Sequence, residues 1–400
     1  MVLVVMGAIA GGVAGSVLRR HADSKQPPNA AQDDPGGDSS SSGNNSTPKT
    51  QAHNTNVLST SRLASSNWTD TDGVAYRTVF FQDPNNAILA RRWDSENRVW
   101  TTTNVTDIVM GSDNPPPLPI PGTPLASAAC SYGTVLCLQL WFLSAAEIGN
   151  ATFVSGARLL RPREKPDSWE GEESYAGQRT SPGSQLSAAW QRCWSLDCIG
   201  DWVLVYQTPE GHIDVANATD WGNPERVIDR KDVAANSSLS IVPQFTTETG
   251  AVDRIALVSE RVDSSSGGPM QKTMFRAGEW HSDGFLIEDL PPPSPKLQFV
   301  TVLLQNFTQT MFLALLPDDS GTVTALWWAG GWTNIPRIEF RGGPSQERGA
   351  QQNSSVKFSA ISAGEDAVLY GISGDEVLAY EPDSDGDDIS VFVYIGRVYP

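Results

Sequence analysis

The sequence is short of the side chains on which most catalytic and nucleic-acid sites depend. It has only four histidines in 400 residues, and just two of them, His212 and His281, follow residue 57. A Ser-His-Asp triad or a histidine-rich metal site therefore has few possible members. Basic residues are also scarce, because 28 Lys and Arg face 46 Asp and Glu, for a formal net charge of −18. Nucleic-acid binding needs clustered basic side chains, so we expect no nucleic-acid partner.

Long helical patterns are missing as well. From Val57 onward the sequence consists of short runs rich in β-branched and aromatic residues, separated by Gly, Pro, Asn and Asp. No stretch keeps the 3.6-residue apolar period of an amphipathic helix. We therefore expect few helices and an all-β fold.

The one long uncharged apolar run lies at the N-terminus, over residues 1–18, directly before Arg19 and Arg20. Its length reaches the lower limit for a bilayer-spanning helix, so it predicts a transmembrane signal anchor. A cleaved signal peptide with a secreted product is the alternative, although no basic start or A-x-A cleavage site is visible. The positive-inside rule places the basic pair in the cytoplasm, on the same side as the glycan acceptor sites described below, unless the natural chain starts further upstream.

Residues 19–56 are mostly Ser, Asp, Asn, Gly, Pro and Gln, with almost nothing apolar. Such a segment cannot bury enough surface to offset its ordering entropy, so it predicts a disordered stalk.

Cysteine is scarce, with four residues in two close pairs, Cys130 with Cys137 and Cys193 with Cys198. Neither spacing is C-x-x-C and no histidine is near in sequence, so two local disulfides are a better interpretation than a metal site. Asn-x-Ser/Thr occurs nine times among only 18 asparagines. This excess predicts a glycoprotein of the secretory pathway. Two sites lie in the stalk, and the others are Asn67, Asn104, Asn150, Asn217, Asn236, Asn306 and Asn353.

An internal repeat appears when the most apolar strand of each unit is aligned. The anchor residues are spaced by 61, 64, 51, 58 and 55 positions, and they are Val79, Leu140, Leu204, Ile255, Leu313 and Val368. Small residues over 125–129, 186–190 and 358–362 precede three of the anchors, which suits strands crowded around a central channel. Repeats of this length predict a six-bladed β-propeller over residues 57–400. Two β-sandwiches with coincidental spacing are the alternative.

Two segments share a phrase of a hydrophobic residue, an aromatic residue, Gln and a downstream Trp, namely Val203–Trp221 and Thr78–Trp100. In Val203–Trp221 the phrase reads VLVYQTPEGHIDVANATDW. It resembles the blade repeat of fungal fucose-specific lectins, which are six-bladed propellers, over residues 58–400. The apolar N-terminus and stalk also resemble membrane-anchored fungal relatives of these lectins. The resemblance implies a sugar held between blades by an Arg, by a Glu on the next strand and by an aromatic ring.

The sugar contacts that the resemblance implies are incomplete in this chain. In the first repeat the arginine position falls on Thr78, with Arg77 one place away, and the glutamate position falls near Ala90. The candidate carbohydrate-binding residues are Arg77, Trp93, Trp221, Arg254, Glu260, Trp280 and Trp332. For each single tryptophan, packing between blades is the alternative to sugar stacking.

The leading interpretation is a non-enzymatic, lectin-like protein that binds fucose-type glycans or glycoproteins through shallow sites between blades. Two alternatives stay open. One is a cell-surface interaction scaffold that has lost sugar binding, and the other is a propeller glycoside hydrolase with two opposed carboxylates. The acidic stretch Glu381–Asp388 lacks EF-hand spacing, and we expect neither a metal nor a cofactor. The expected location is a membrane, crossed once, with an extracellular or luminal propeller; secretion is the alternative.

Overall fold

The computed structural model describes residues 57–112, 115–132, 135–145, 151–172, 177–191, 201–218, 220–246, 251–262, 270–276, 278–286, 297–304, 307–316, 320–329, 331–344, 356–383 and 389–400. The chain divides into two compact units, Met1–Ala52 and His53–Pro400, and only the second contains described residues. The predicted anchor and stalk therefore lie outside the described residues. Within the ranges given above, no helix is both long enough and apolar enough to cross a membrane.

The strands of sheets 1 to 3 follow one another along the chain. Sheet 1 contains β1 (Ala64–Thr69), β2 (Ala75–Gln82), β3 (Ile88–Asp94) and β4 (Thr101–Asn104), and the short helix α1 (Val105–Met110) follows it. Sheet 2 contains β5 (Leu125–Tyr132), β6 (Val135–Ala145), β7 (Thr152–Leu160), β8 (Trp169–Glu172) and β9 (Arg179–Thr180). Sheet 3 contains β10 (Leu186–Gln191), β11 (Asp201–Gln207), β12 (Ile213–Asn217) and β13 (Glu225–Ile228).

Sheets 4 to 6 continue the pattern. Sheet 4 contains β14 (Leu239–Thr246), β15 (Ala251–Glu260), β16 (Met270–Arg276) and β17 (Glu279–Leu286). Sheet 5 contains β18 (Gln298–Leu304), β19 (Gln309–Leu315), β20 (Val323–Trp328) and β21 (Trp332–Ile335). Sheet 6 contains β22 (Glu339–Arg341), β23 (Ala360–Ala363), β24 (Leu369–Ser373), β25 (Glu376–Pro382) and β26 (Val391–Tyr399). Strand β22 joins sheet 6 at its outer edge, parallel to β26.

The first full strand of each sheet lies innermost, and these six strands close a ring. Each contacts its two neighbours in the order β1, β5, β10, β14, β18, β23 and back to β1. The six-bladed propeller predicted from the repeat is confirmed, and the two-sandwich alternative is wrong. The small-residue segments at 125–129 and 186–190 lie on β5 and β10, where a ring of neighbouring strands leaves little room for large side chains.

The core consists of apolar layers between adjacent sheets, because side chains alternate from one face of a strand to the other. On β2, Val79 and Phe81 pack toward sheet 6, against residues such as Tyr370 and Tyr399. Phe80 on the same strand packs toward sheet 2, in a cluster that contains Leu140. Every radial layer is therefore shared by two blades.

A hydrogen-bonded turn recurs before the innermost strand of sheets 1 to 4. In each, a buried hydroxyl accepts the backbone N–H of a residue on the second strand, at 2.7 to 2.8 Å. The hydroxyls belong to Ser61, Thr123, Ser184 and Ser237, and the donors are Gln82, Leu143, Gln207 and Glu260. Each hydroxyl lies two positions before a buried leucine of the inner strand, so Ser/Thr-x-Leu is the sequence pattern of this turn.

The glutamine of the blade phrase connects neighbouring sheets. The Gln82 side-chain amide donates to the Ile120 carbonyl oxygen (3.1 Å), and its oxygen accepts from the Thr123 N–H (3.0 Å). Gln207 makes the same pair of bonds two blade boundaries later, to the Ala234 carbonyl (3.0 Å) and the Asn236 N–H (2.7 Å). The phrase that carried the resemblance is thus explained by blade assembly.

One of the two predicted disulfides is present. Cys130 and Cys137 face each other across β5 and β6, with their Cα atoms 5.1 Å apart, and they are bonded. This pair is confirmed. The other predicted pair, Cys193 and Cys198, lies outside the described residues.

Candidate functional site

A partly exposed polar cluster lies where sheet 6 meets sheet 1. Arg77 on β2 and Trp93 on β3 are cross-strand partners, so their side chains leave the same face of sheet 1. This is the face that carries Val79 and Phe81 toward sheet 6. The two residues therefore point toward sheet 6 rather than toward sheet 2.

Sheet 6 supplies a carboxylate to this polar cluster. The Arg77 Nε–H donates to Asp366 Oδ2 at 2.6 Å, and Asp366 lies in the turn between β23 and β24. The guanidinium carbon of Arg77 is 4.9 Å from the centre of the Trp93 ring. The Arg77 and Asp366 side chains are 23% and 24% exposed, so both reach solvent. We call Arg77, Trp93 and Asp366 the seam site.

Neighbouring groups hold the seam site in place. The Asn67 side-chain oxygen accepts the Glu365 N–H at 2.6 Å and fixes the turn that carries Asp366. Burial, with a further contribution from Asp366, raises the pKa of Tyr370 above its ordinary range, so this side chain stays neutral beneath the site. The seam site therefore carries one cation, Arg77, and one anion, Asp366, next to the neutral side chain of Tyr370.

A second arginine on the same face of sheet 1 uses its guanidinium for contacts within the fold. Arg91 donates to the Val398 carbonyl oxygen (2.8 Å) and its guanidinium carbon lies 5.5 Å from the centre of the Tyr399 ring. Desolvation lowers the pKa of Arg91, as expected for a guanidinium enclosed by protein. Arg77, in contrast, is open to a ligand.

The arrangement can bind neutral polyhydroxylated molecules. A hydroxyl group both donates and accepts, so it can accept from a guanidinium and donate to a carboxylate at the same time. Hydrogen bonds to charged partners are roughly twice as strong as those between neutral groups. The Arg77 guanidinium lies over one face of the Trp93 ring. The ring therefore orients the arginine and also adds apolar surface to the seam site.

The structure brings together two of the residues predicted from the sequence, Arg77 and Trp93, and adds Asp366. That aspartate is 289 residues from Arg77 along the chain, and no local motif marks it. Only closure of the ring, which places the sixth repeat against the first, would have pointed to it.

The candidates on sheet 4 are not brought together. Trp280 packs with Phe275 toward sheet 3, whereas Arg254 alternates with Ile255 and lies on the opposite face. Glu260 shares the face of Arg254, but six residues of extended strand separate them by about 20 Å. Glu260 is 1% exposed and accepts the Ser238 N–H at 2.8 Å, so it belongs to the recurrent turn.

The remaining two tryptophans lie on sheet 5 and in the connection between β12 and β13 of sheet 3. Trp221 is half-buried, with its ring centre 6.3 Å from that of Trp141, in an aromatic layer between sheets 2 and 3. Trp332 begins β21, and its side chain lies outside the described residues.

The charge at Arg77 is not repeated on the next three sheets. The recurrent turn aligns Gln82 with Leu143, Gln207 and Glu260, and Arg77 is five positions before the first of these. The same offset on sheets 2, 3 and 4 gives Leu138, Trp202 and Ile255. The seam site thus has no charged equivalent on those sheets.

The predicted glycan acceptors differ in their surroundings. Asn217 is exposed at the end of β12, whereas Asn67 and Asn236 are half-buried and use their side-chain oxygens within the fold. Asn104 caps α1 by accepting the Asp107 N–H at 3.1 Å. Asn150, Asn306 and Asn353 lie outside the described residues.

No protein-family model and no curated protein matches the sequence. Solved structures do match. The protein AofleA from Arthrobotrys oligospora is 16% identical, with a TM-score of 0.56 over 82% of this chain and 84% of that one. The fucose-specific lectin from Aleuria aurantia is 13% identical, with a TM-score of 0.57 over 86% and 97%. The chain has the fold of these propellers.

A third structure, the SapL1 lectin in complex with alpha methyl fucoside, is 13% identical, with a TM-score of 0.54 over 85% of this chain and 97% of that one. The resemblance read from the blade phrase is confirmed at the level of fold. At these identities the likeness carries no residue roles.

Proposed function

We propose that this chain is a carbohydrate-binding propeller and that the seam site recognises a fucose-type sugar without catalysis. The observation that carries the proposal is the partly exposed Arg77–Asp366 pair, 2.6 Å apart, beside the Trp93 ring. The seam site places hydrogen-bond donors, acceptors and an apolar surface side by side, which is the combination a sugar requires. The centre of the half-buried Trp100 ring lies 6.5 Å from that of Trp93, with the two rings tilted by 39°, so Trp100 adds apolar surface beside Trp93.

The structural neighbours support the choice of sugar. One is named as a fucose-specific lectin and another was solved with alpha methyl fucoside. Fucose presents both hydroxyls and a methyl group, so it suits a site that joins a charged pair to indole rings. Because sheets 2 to 4 lack an equivalent of Arg77, we propose few working sites and weak overall binding.

Binding without hydrolysis is also a proposal. A glycosidase needs two carboxyl groups about 5 to 10 Å apart. Among the described residues that line the central channel, Glu365 is the one acidic side chain. This supports a binding protein over the hydrolase alternative.

The test is titration of the full chain with alpha methyl fucoside, together with a glycan array. Arg77→Ala removes the charged donor, and we expect at least about a tenfold loss of affinity, since hydrogen bonds to charged groups contribute roughly 1.5–3 kcal/mol. Arg230→Ala, at an exposed arginine of sheet 3, is the matched control and should bind as wild type. Silence of the array toward fucosylated glycans would favour the interaction-scaffold alternative.

We also propose that the chain is anchored in a membrane by residues 1–18, with the propeller on the luminal or extracellular side. The uncharged apolar run supports the anchor, and the nine glycan acceptor sites support the side. Alkaline extraction of membranes from the native source should leave the protein in the membrane pellet. Removal of N-linked glycans with a glycosidase should make the protein migrate faster in gel electrophoresis. Release into the supernatant would indicate a secreted protein instead.

A further inference from the structure

Two adjoining cavities follow the axis of the ring. The larger, of about 140 Å³, is lined by the first halves of the innermost strands, and the smaller, of about 70 Å³, by their second halves. They share residues such as Ser65, Ser127 and Thr301. A space of this size accommodates several water molecules or one small ion with water.

Most hydroxyl groups along the cavities pair with one another. Ser66 bonds to Ser127 at 2.7 Å, linking sheets 1 and 2, and Ser240 bonds to Thr301 at 2.7 Å, linking sheets 4 and 5. Ser65 bonds to Ser362 at 2.9 Å, across the boundary between the two ends of the chain. The hydroxyls thus join neighbouring inner strands, and the charge of the larger cavity has to come from other residues.

Arg62 is the charged residue that lines the larger cavity. It directly precedes Leu63, and the matching positions on sheets 2, 3 and 4 are Pro124, Gln185 and Ser238. No carboxylate lies among the described residues that line this cavity. Burial lowers the pKa of Arg62, and no acidic group offsets that effect.

The two glutamines that line the same cavity use their donors elsewhere. The Gln185 amide donates to the Gly183 carbonyl oxygen at 3.3 Å, and the Gln298 amide donates to the Ser359 carbonyl oxygen at 3.0 Å. In the part of the chain that the structure describes, the Arg62 guanidinium makes no hydrogen bond or ion pair.

Other enclosed arginines of this chain have acceptors. Arg91 donates to the Val398 carbonyl, Arg92 donates to the Pro162 carbonyl, and Arg397 pairs with Glu376 at 3.0 Å. Acidic residues outnumber basic ones by 46 to 28, so carboxylates are plentiful in the chain as a whole. Arg62 is partly exposed and lines the larger cavity, so its guanidinium N–H groups are left for water or a ligand held in that cavity.

We propose that Arg62 binds a small oxyanion, of the class of inorganic phosphate or sulfate, within the central channel. The guanidinium presents paired N–H groups whose spacing matches two oxygens of such an ion. Ser187 lines the same cavity, and its hydroxyl, which accepts the Ile241 N–H at 2.9 Å, can donate its own proton to the ion. The site is separate from the seam site, so it neither requires sugar binding nor implies it.

The experiment measures thermal unfolding of the full chain in phosphate, in sulfate and in sodium chloride of matched ionic strength. An ion that binds only the folded state raises the unfolding temperature as its concentration exceeds its dissociation constant. We expect phosphate or sulfate to raise the unfolding temperature of the wild type above the chloride control. Arg62→Gln should lose this increment, and Arg230→Gln, at an exposed arginine, should keep it.

Direct binding keeps the proposal testable if Arg62→Gln folds poorly. Titration of the wild type with inorganic phosphate, followed by ³¹P line broadening, should show saturation, and Arg62→Lys should bind about 10- to 100-fold more weakly. Equal responses of wild type and Arg62→Gln, or a linear response to phosphate without saturation, would overturn the proposal. Loss of phosphate binding with unchanged fucoside binding would leave the proposed function intact, and the reverse outcome would leave this site intact.

Discussion

At the scale of single residues, the chain is organised by buried polar side chains that satisfy backbone groups within and between blades. Ser184 illustrates this. Its hydroxyl accepts the Gln207 N–H at 2.8 Å and donates to the Gln185 carbonyl oxygen at 2.9 Å, and the residue has no exposed surface. A buried polar group that loses its partner costs the full desolvation of that group, so such hydroxyls are not interchangeable with alanine.

Ser184→Ala should lower the free energy of unfolding by about 1–3 kcal/mol, because the Gln207 N–H is left unpaired in a site that excludes water. Urea denaturation is the measurement. Ser168→Ala is the control, since Ser168 also donates to a carbonyl, that of Lys165 at 3.0 Å, but its hydrogen bond is exposed. We expect a change within about 0.5 kcal/mol for the control. Equal effects at the two serines would contradict the role assigned to the recurrent turn.

The same residues show what could be predicted from the sequence. The glutamine of the blade phrase was visible at Gln82 and Gln207, but its role in joining sheets depends on contacts across a blade boundary. Arg77 and Trp93 could be proposed because they lie on neighbouring strands of one repeat. Asp366 could not be, since it comes from the opposite end of the chain and adopts its place only when the ring closes.

At the scale of secondary-structure elements, sheet 6 shows how one glycine makes room for an aromatic cluster. Gly371 on β24 lies directly against the Phe358 ring. Phe358 in turn meets Phe340 edge-on, with ring centres 4.9 Å apart, and Tyr380 with ring centres 5.8 Å apart. A side chain at position 371 would occupy the space of the ring, so the strand depends on the absence of a Cβ.

Gly371→Ala should therefore destabilise the protein by about 1–3 kcal/mol, the usual cost of overpacking a core. Gly222→Ala is the control, because a Cβ there would meet Asp220 Oδ1 at an ordinary 3.6 Å. Combining Gly371→Ala with Phe358→Leu should recover part of the loss, as the smaller side chain can yield. Urea denaturation of Gly371→Ala, Phe358→Leu and the double variant tests this. If the losses of the two single variants simply add in the double variant, the two residues are not in direct contact.

Among the elements, the strands were easier to predict than their edges. Continuous apolar runs bounded by turn residues marked the second strand of the blades, because that strand is packed on both faces. The short β22 carried no such pattern. It precedes β23, the inner strand of sheet 6, in the chain, yet it pairs in parallel with β26 at the outer edge of that sheet. Its pairing depends on where the chain returns in space, which local sequence does not encode.

At the scale of the whole propeller, the described strands close the ring without an exchange between its first and last sheets. All described strands of sheet 1 come from the start of the propeller, and those of sheet 6 from its end. The boundary between these sheets is held by side-chain contacts, including Phe81 against Tyr399 at 4.8 Å and the Arg77–Asp366 pair. Along the other boundaries, the chain itself connects the neighbouring sheets. The boundary that contains the seam site is therefore the place where the ring is least constrained by chain connectivity.

Tyr399→Ala should open that boundary. Truncating a large buried aromatic residue costs about 3–5 kcal/mol. We expect the loss to appear as faster hydrogen exchange in β1 and β23, the inner strands on either side, before the other sheets are affected. Tyr206→Ala is the matched control, since Tyr206 is also buried but lies between sheets 2 and 3, which the chain connects directly. Uniform acceleration across all six sheets in Tyr399→Ala would mean that the ring unfolds as one unit. Selective opening would mean that this boundary opens before the rest of the ring. A fucoside that binds the seam site only when the boundary is closed should then slow exchange in those same two strands.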